Sequence, residues 1–174
     1  YTVRFPDTGV RAELSATTRT GIARFTFSKD APAYVHVRSG GSLNGNSDAS
    51  ATVSEDLTTV TGSTTTGDFC GKGNSYTLYY AATFSTPAKA AGTWSGDHVN
   101  DAGVLTGTGG RSGAWLEFTG GQEVEVRVGV SYVSVGGAQA NLAAEATGRS
   151  FDQILSAAED RWNSVLSRIE VGGG

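Results

Sequence analysis

The feature that most constrains this chain is a two-residue alternation of apolar and polar side chains, repeated in short runs. The clearest run sets Val124, Val126, Val128 and Val130 against Glu123, Glu125 and Arg127. Val10, Ala12, Leu14 and Ala16 alternate with Arg11, Glu13, Ser15 and Thr17. Ala23, Phe25 and Phe27 interleave with Arg24 and Thr26, Val35 and Val37 flank His36, and Leu116 and Phe118 flank Glu117. A longer run puts Tyr76, Leu78, Tyr80, Ala82 and Phe84 on one face. Successive side chains of a strand point to opposite faces, so each run predicts a strand with one buried and one wet side. Glycine pairs punctuate the runs at Gly40-Gly41, Gly109-Gly110, Gly120-Gly121 and Gly136-Gly137 and read as turns. No helical period intervenes before residue 136, which excludes a parallel sheet with crossover helices. The expected fold is mainly β: an antiparallel β-sandwich over residues 1–135, incomplete at its N-terminal side. Its core is expected to hold Leu14, Phe25, Tyr80, Val124, Val126 and Val128. Residues 40–50, 63–74 and 95–113 read as polar loops, the last with a weak strand at Val104-Leu105.

After residue 135 the period changes. Ala138, Leu142 and Ala143 predict a short helix stopped near Gly148. Phe151, Ile154, Leu155, Ala158, Trp162, Val165, Leu166 and Ile169 then form one apolar stripe at helical spacing. Ser150 and Gln153 match a capping box, and Asp152 and Arg168 sit where the helix dipole favours their charges. Phe151, Leu155 and Trp162 are expected to pack on the sandwich, leaving the rest of the stripe to dock a further domain. The plainer alternative is a stripe buried wholly within this chain. Gly172-Gly173-Gly174 reads as a linker, so residues 136–174 are expected to be a helical linker toward another domain. The chain opens in mid-strand at Tyr1-Thr2-Val3 and is expected to be a piece of a longer polypeptide.

Composition narrows the function classes. The net charge is −4, with no basic block, which argues against nucleic acid as a partner. No apolar run reaches the ~20 residues of a membrane-spanning helix. A single cysteine excludes a disulfide within the chain.

The residues that carry chemistry elsewhere do not assemble here. Of the two histidines, His36 lies in an alternating strand and His98 in the polar loop around Asp97, Asn100 and Asp101, and no nucleophile elbow is present. Cys70, in Asp68-Phe69-Cys70-Gly71, has no base nearby in sequence and reads as a small buried hydrophobe. Asp97, Asn100 and Asp101 do not match the spacing of a calcium loop and read as turn caps. Glu13, Glu55, Asp56, Glu117, Glu123 and Glu125 fall mostly on wet strand faces, and nothing singles out a glycosidase pair. Gly107-Thr108-Gly109-Gly110 lacks the ending of a phosphate loop. Trp94 and Trp115 would be sugar-stacking platforms if exposed, and core residues otherwise. No catalytic, cofactor-binding or metal-binding residue is assigned, and an accessory domain is expected.

Two long segments carry a resemblance. They run from Val3-Arg4-Phe5-Pro6-Asp7-Thr8-Gly9 to Phe27, and from Val126-Arg127-Val128-Gly129-Val130 to Glu145. Phe151-Asp152 and Trp162-Asn163 follow, and Asp68-Phe69-Cys70-Gly71 and Gly92-Thr93-Trp94 occur between them in the right order. Together they resemble the N-terminal domain of glycoside hydrolase family 92, the exo-acting α-mannosidases. The resemblance implies a calcium-dependent, inverting enzyme with a β-sandwich, a helical connection and an (α/α)6 barrel. It implies that the acid, the base and the calcium belong to the barrel, so no catalytic residue and no cofactor carries over to this chain. It further implies secretion, mannose-containing glycans as substrate, and the protein's own catalytic domain as partner. An independent carbohydrate-binding module is the alternative.

Overall fold

The computed structural model of the chain describes residues 1–172, so the linker reading at Gly173 and Gly174 lies outside the described residues. Twelve strands and two helices follow in order. The strands are β1 (Thr2–Phe5), β2 (Val10–Ala16), β3 (Thr20–Thr26), β4 (Ala33–Arg38), β5 (Asp48–Val53) and β6 (Thr59–Gly67). Then come β7 (Ser75–Phe84), β8 (Ala90–Ser95), β9 (His98–Val99), β10 (Thr106–Thr108), β11 (Gly113–Phe118) and β12 (Glu123–Ser131). The helices are α1 (Val135–Glu145) and α2 (Phe151–Leu166). One sheet has eight strands in the order β1-β2-β3-β12-β7-β6-β5-β10, and the other has four in the order β4-β11-β8-β9. The described pairings are all antiparallel.

The apolar faces of the alternating runs meet between the sheets. Val35, Leu116 and Phe118 of the small sheet close on Val60, Tyr80, Phe84, Val124 and Val126 of the large one. Val128 and Phe25 pack against this core while partly buried. Tyr80 carries a hydroxyl into that core and satisfies it: the Oη lies 2.6 Å from Ser39 Oγ and donates to the Ser50 carbonyl at 3.2 Å. Burial pushes the Tyr80 hydroxyl above its ordinary pKa, against the opposing hydrogen bond from Ser39.

Leu14 departs from expectation, at 40% exposed. Four strands cannot cover eight, and β2 lies next to the rim of the large sheet, outside the shared core. The opposite face of β2 and β3 also departs, because it is not wet. Helix α1 lies on β12 and β7, and α2 lies on β2 and β3. Ile22, Ala146, Phe151 and Ile154 form a second core beneath them. The molecule therefore has three layers, with the large sheet in the middle and apolar on both sides.

That second core buries charge. Glu13 is only 7% exposed. It accepts two hydrogen bonds from Arg24, at 2.9 and 3.1 Å, and one from Arg11 at 2.8 Å. The Arg24 hydrogen bonds hold the Glu13 carboxyl below its usual range, against the opposing effect of burial. The Arg24 guanidinium also stands 4.3 Å over the Phe151 ring and reaches Asp152 at 3.3 Å. A charge taken out of water must be paired, and Arg24 pairs it while bridging sheet to helix.

Several local readings change. Residues 48–50 and 98–99, read as loop, belong to β5 and β9. Residues 63–67, read as loop, are the second half of β6, paired along their length with β7. Thr and Ser supply no apolar alternation, but neighbours on both sides hold them as a strand. Val104-Leu105 is not a strand; the adjacent Thr106–Thr108 is, paired with β5. Gly136-Gly137 is not a turn but the first turn of α1, where Ser134 Oγ accepts from the Gly137 N–H at 3.0 Å.

Candidate functional site

Helix α2 forms where its apolar stripe and its cap predict. Ser150 Oγ accepts from the Gln153 N–H at 3.2 Å, and Gln153 Oε1 accepts from the Ser150 N–H at 2.9 Å. Two of the helix's orphan donors are thereby satisfied. Phe151 and Ile154 are buried, and Leu155 packs beside them. From Glu159 through residue 172 every residue is exposed. Trp162 is 66% exposed, so its expected packing on the sandwich is overturned, and Ile154 makes that contact instead. The helix ends at Leu166, leaving Arg168 and Ile169 past its terminus, so Arg168 is not in the last turn. Because α2 leaves the sheet, Trp162, Val165, Leu166 and Ile169 stand open to solvent. A groove of about 710 Å³ runs beneath, lined by Thr17, Glu145, Arg149, Trp162 and Val165 among others. A stripe buried wholly within this chain is therefore ruled out.

Glu145, at the end of α1, fixes one wall of that groove. Its carboxylate accepts from the Thr17 hydroxyl, from the Arg19 N–H at 2.9 Å and from Arg19 Nε at 2.6 Å. Burial alone would raise its pKa, but these hydrogen bonds outweigh burial and hold it down to about 2. The sequence reading did not single out Glu145, because its partners lie more than 120 residues away.

The outer face of the small sheet presents Tyr34, His36, Trp94, Val99 and Trp115 around a shallow cavity of about 490 Å³. Register explains the cluster. Trp115 stands opposite both His36 on β4 and Gly92 on β8, while Trp94 stands opposite Gly113. Each indole lies across a glycine of the neighbouring strand. A Cβ at Gly92 would come within 2.7 Å of the Trp115 ring, and one at Gly113 within 2.1 Å of the Trp94 ring. Trp115 Nε1 donates to the Asn100 carbonyl at 3.4 Å. Tyr34 meets Trp115 edge-on at 6.3 Å, and His36 meets Trp94 edge-on at 6.0 Å.

The remaining candidates are dispersed. Glu117 pairs with Lys89 at 3.3 Å and Glu125 with Arg127 at 2.9 Å. Asp56 accepts from Ser54 and Thr58 hydroxyls in its own turn, which holds its carboxyl below its usual range. Glu55 and Glu123 face solvent. Asp97 pairs with Arg111 at 2.8 Å, and the Asn100 amide donates to Thr93 at 2.9 Å. Among the described residues no three His, Cys, Asp or Glu side chains converge as a metal site would need. His98 is exposed on β9. Cys70 is also exposed, which overturns its reading as a buried hydrophobe. It sits in the tight turn that joins β6 to β7, with φ of 57° at Cys70 and 52° at Asp68.

The family model for the glycosyl hydrolase family 92 N-terminal domain matches residues 1–131. The chain belongs to glycosyl hydrolase family 92. The structure of the family 92 inverting mannosidase BT2199 from Bacteroides thetaiotaomicron superposes with a TM-score of 0.87 at 27% identity, over 100% of this chain and 23% of that one. The family 92 glycosyl hydrolase ccman5 gives 0.81 at 29% identity, over 95% of this chain and 22% of that one. The family 92 α-mannosidase BT3965 from the same Bacteroides species shares the fold, with a TM-score of 0.82 at 23% identity, over 100% of this chain and 24% of that one. Comparison with curated protein sequences finds no match. The chain thus spans about a quarter of the length of these family 92 structures, and its residues 1–131 are the part that matches the family's N-terminal domain.

Proposed function

We propose that this chain is the non-catalytic N-terminal sandwich of a secreted, calcium-dependent, inverting α-mannosidase that trims mannose-containing glycans. In this reading the sandwich walls one side of an active site whose acid, base and calcium belong to a catalytic domain. The observation that carries it is the divided helix α2. Its first two turns are fixed to the sheet, while Trp162, Val165 and Leu166 present an apolar surface that none of the described residues covers. Such a surface suits docking of a second domain and would set the angle between the two. Catalysis tolerates little misplacement of groups that share a site. The family match and the mannosidase BT2199 support the substrate class.

The test is an aryl α-mannoside assay on the purified 174-residue chain and on the product of the complete gene, each with calcium and with chelator. The chain alone is expected to be inactive. The complete protein is expected to turn over in calcium, to lose activity with chelator, and to carry a signal peptide. Calcium-dependent turnover by the chain alone overturns the reading. An independent carbohydrate-binding module is the second reading, favoured by the aromatic face around Trp94 and Trp115. A gene without a catalytic-domain-length extension would decide for it.

A further inference from the structure

We propose that the outer face of the small sheet is a binding platform that stacks a hexopyranoside ring, at a site separate from any surface α2 presents. The argument begins with the two glycines. Without side chains at Gly92 and Gly113, the Trp115 and Trp94 indoles pack over the neighbouring strands, half-buried, and their remaining ring surface lines the outer cavity. The arrangement is fixed from below. Thr93, fully buried, donates to the Val104 carbonyl at 2.9 Å and accepts from the Asn100 amide at 2.9 Å. The Asn100 carbonyl in turn accepts from Trp115. The loop that places Val99 beside Trp94 is thus tied to the strand that carries Trp94.

The chemistry of the face selects its ligand. A pyranoside has one face of C–H groups and a rim of hydroxyls. Flat aromatic faces suit the first, and hydrogen-bonding groups suit the second. Tyr34 and His36 stand among the indoles, and the Lys89–Glu117 pair closes one end of the row next to Tyr34. A nucleic-acid base would also stack, but the net charge of −4 opposes its phosphates. A quaternary ammonium is held by rings that enclose it on several sides, whereas this face is shallow and open. The cavity, about 490 Å³, falls within the usual ~300–1,000 Å³ of small-molecule sites. Its shallowness sets the expected affinity near ~1 mM.

The inference takes only its first choice of sugar from the mannosidase reading, and its test separates the two. Trp162→Phe leaves Trp94 and Trp115 as the only tryptophans, so emission reports on the platform alone. Methyl α-mannoside, an α-linked mannobiose, cellobiose and choline chloride are titrated into this variant. A saturable change with at least one sugar is expected. Trp94→Leu, read through Trp115, keeps an apolar cover over Gly113 but removes the flat ring. Tyr34→Ala alters a half-exposed side chain. Each should weaken binding about tenfold with the thermal midpoint unchanged. A response to cellobiose alone supports the platform and overturns only mannose as its preferred sugar. Silence toward every sugar, a response to choline alone, or binding unmoved by both variants overturns the platform and leaves the domain reading standing.

Discussion

The two halves of helix α2 carry one continuous apolar stripe at one period, yet the first is anchored in a core and the second is surface. Phe151 and Ile154 are each 1% exposed; Trp162 and Leu166 are 66% and 63% exposed. Nothing in the stripe itself distinguishes them. The difference lies in what stands opposite. The first two turns lie over Ile22 and the Arg24–Glu13 pair, whereas the last two run past the end of β2 at residues 16–18. Helical periodicity therefore tells which face of a helix wants cover, and the sheet's extent tells how much of that face receives it.

Substitutions can break this comparison. The largest effect is expected for Phe151→Ala, about 3–5 kcal/mol of unfolding free energy, since the cavity also strips Arg24 of its aromatic support. A denaturant titration showing a loss below ~1 kcal/mol would place the near half of α2 outside the cooperative core. Val126→Ala, between the sheets, should cost about 1–3 kcal/mol and gives the scale against which the helix layer is judged. An unchanged denaturant midpoint would mean that β12 turns its other face inward.

The third effect is pH-dependent. Glu145 has a folded pKa of about 2 against an ordinary 4.5. Its folded value is depressed, so its contribution is present above the unfolded pKa and is lost as pH falls from about 4.5 toward 2. Partial exposure of Arg19 reduces the ideal value, leaving about 1–2 kcal/mol. Glu145→Gln should lower stability at neutral pH and flatten that acid limb; an identical limb in both proteins would refute the clamp. The smallest effect is Trp162→Ala, within ~0.5 kcal/mol in this chain. In the complete protein the same change should lower stability or turnover. An enzyme indifferent to it would show that the far half of α2 docks nothing.

Much of the fold was legible, because alternation in β2, β3, β4, β7, β11 and β12 is a direct record of a half-buried strand. What escaped was set by neighbours distant in sequence. Thr59–Gly67 is a strand through pairing with β5 and β7, not through its own apolar pattern. Glu13 reads as wet until α2 is laid over it, and Leu14 reads as core until the small sheet proves too narrow to reach it. Cys70 looked inward by composition, but its turn carries it out. The tryptophans were visible as candidates. Their outward pose was not, since it depends on which residue of a partner strand is a glycine.

The strand order has a further consequence, in the time domain. β12 is the last strand made, yet it sits in the middle of the large sheet, between β3 and β7. Until residues 123–131 leave the ribosome, β1-β2-β3 and β5-β6-β7 are two separate hairpin stacks, each with an open inner edge. Joining them requires β3 to wait for a partner about 100 residues downstream, a long-range closure that slows folding. Nascent chains that stall before residue 123 would expose both edges, the geometry that invites strand exchange with another molecule. Val124 and Val126 thus do more than fill a core: their arrival is the moment at which two half-sheets become one.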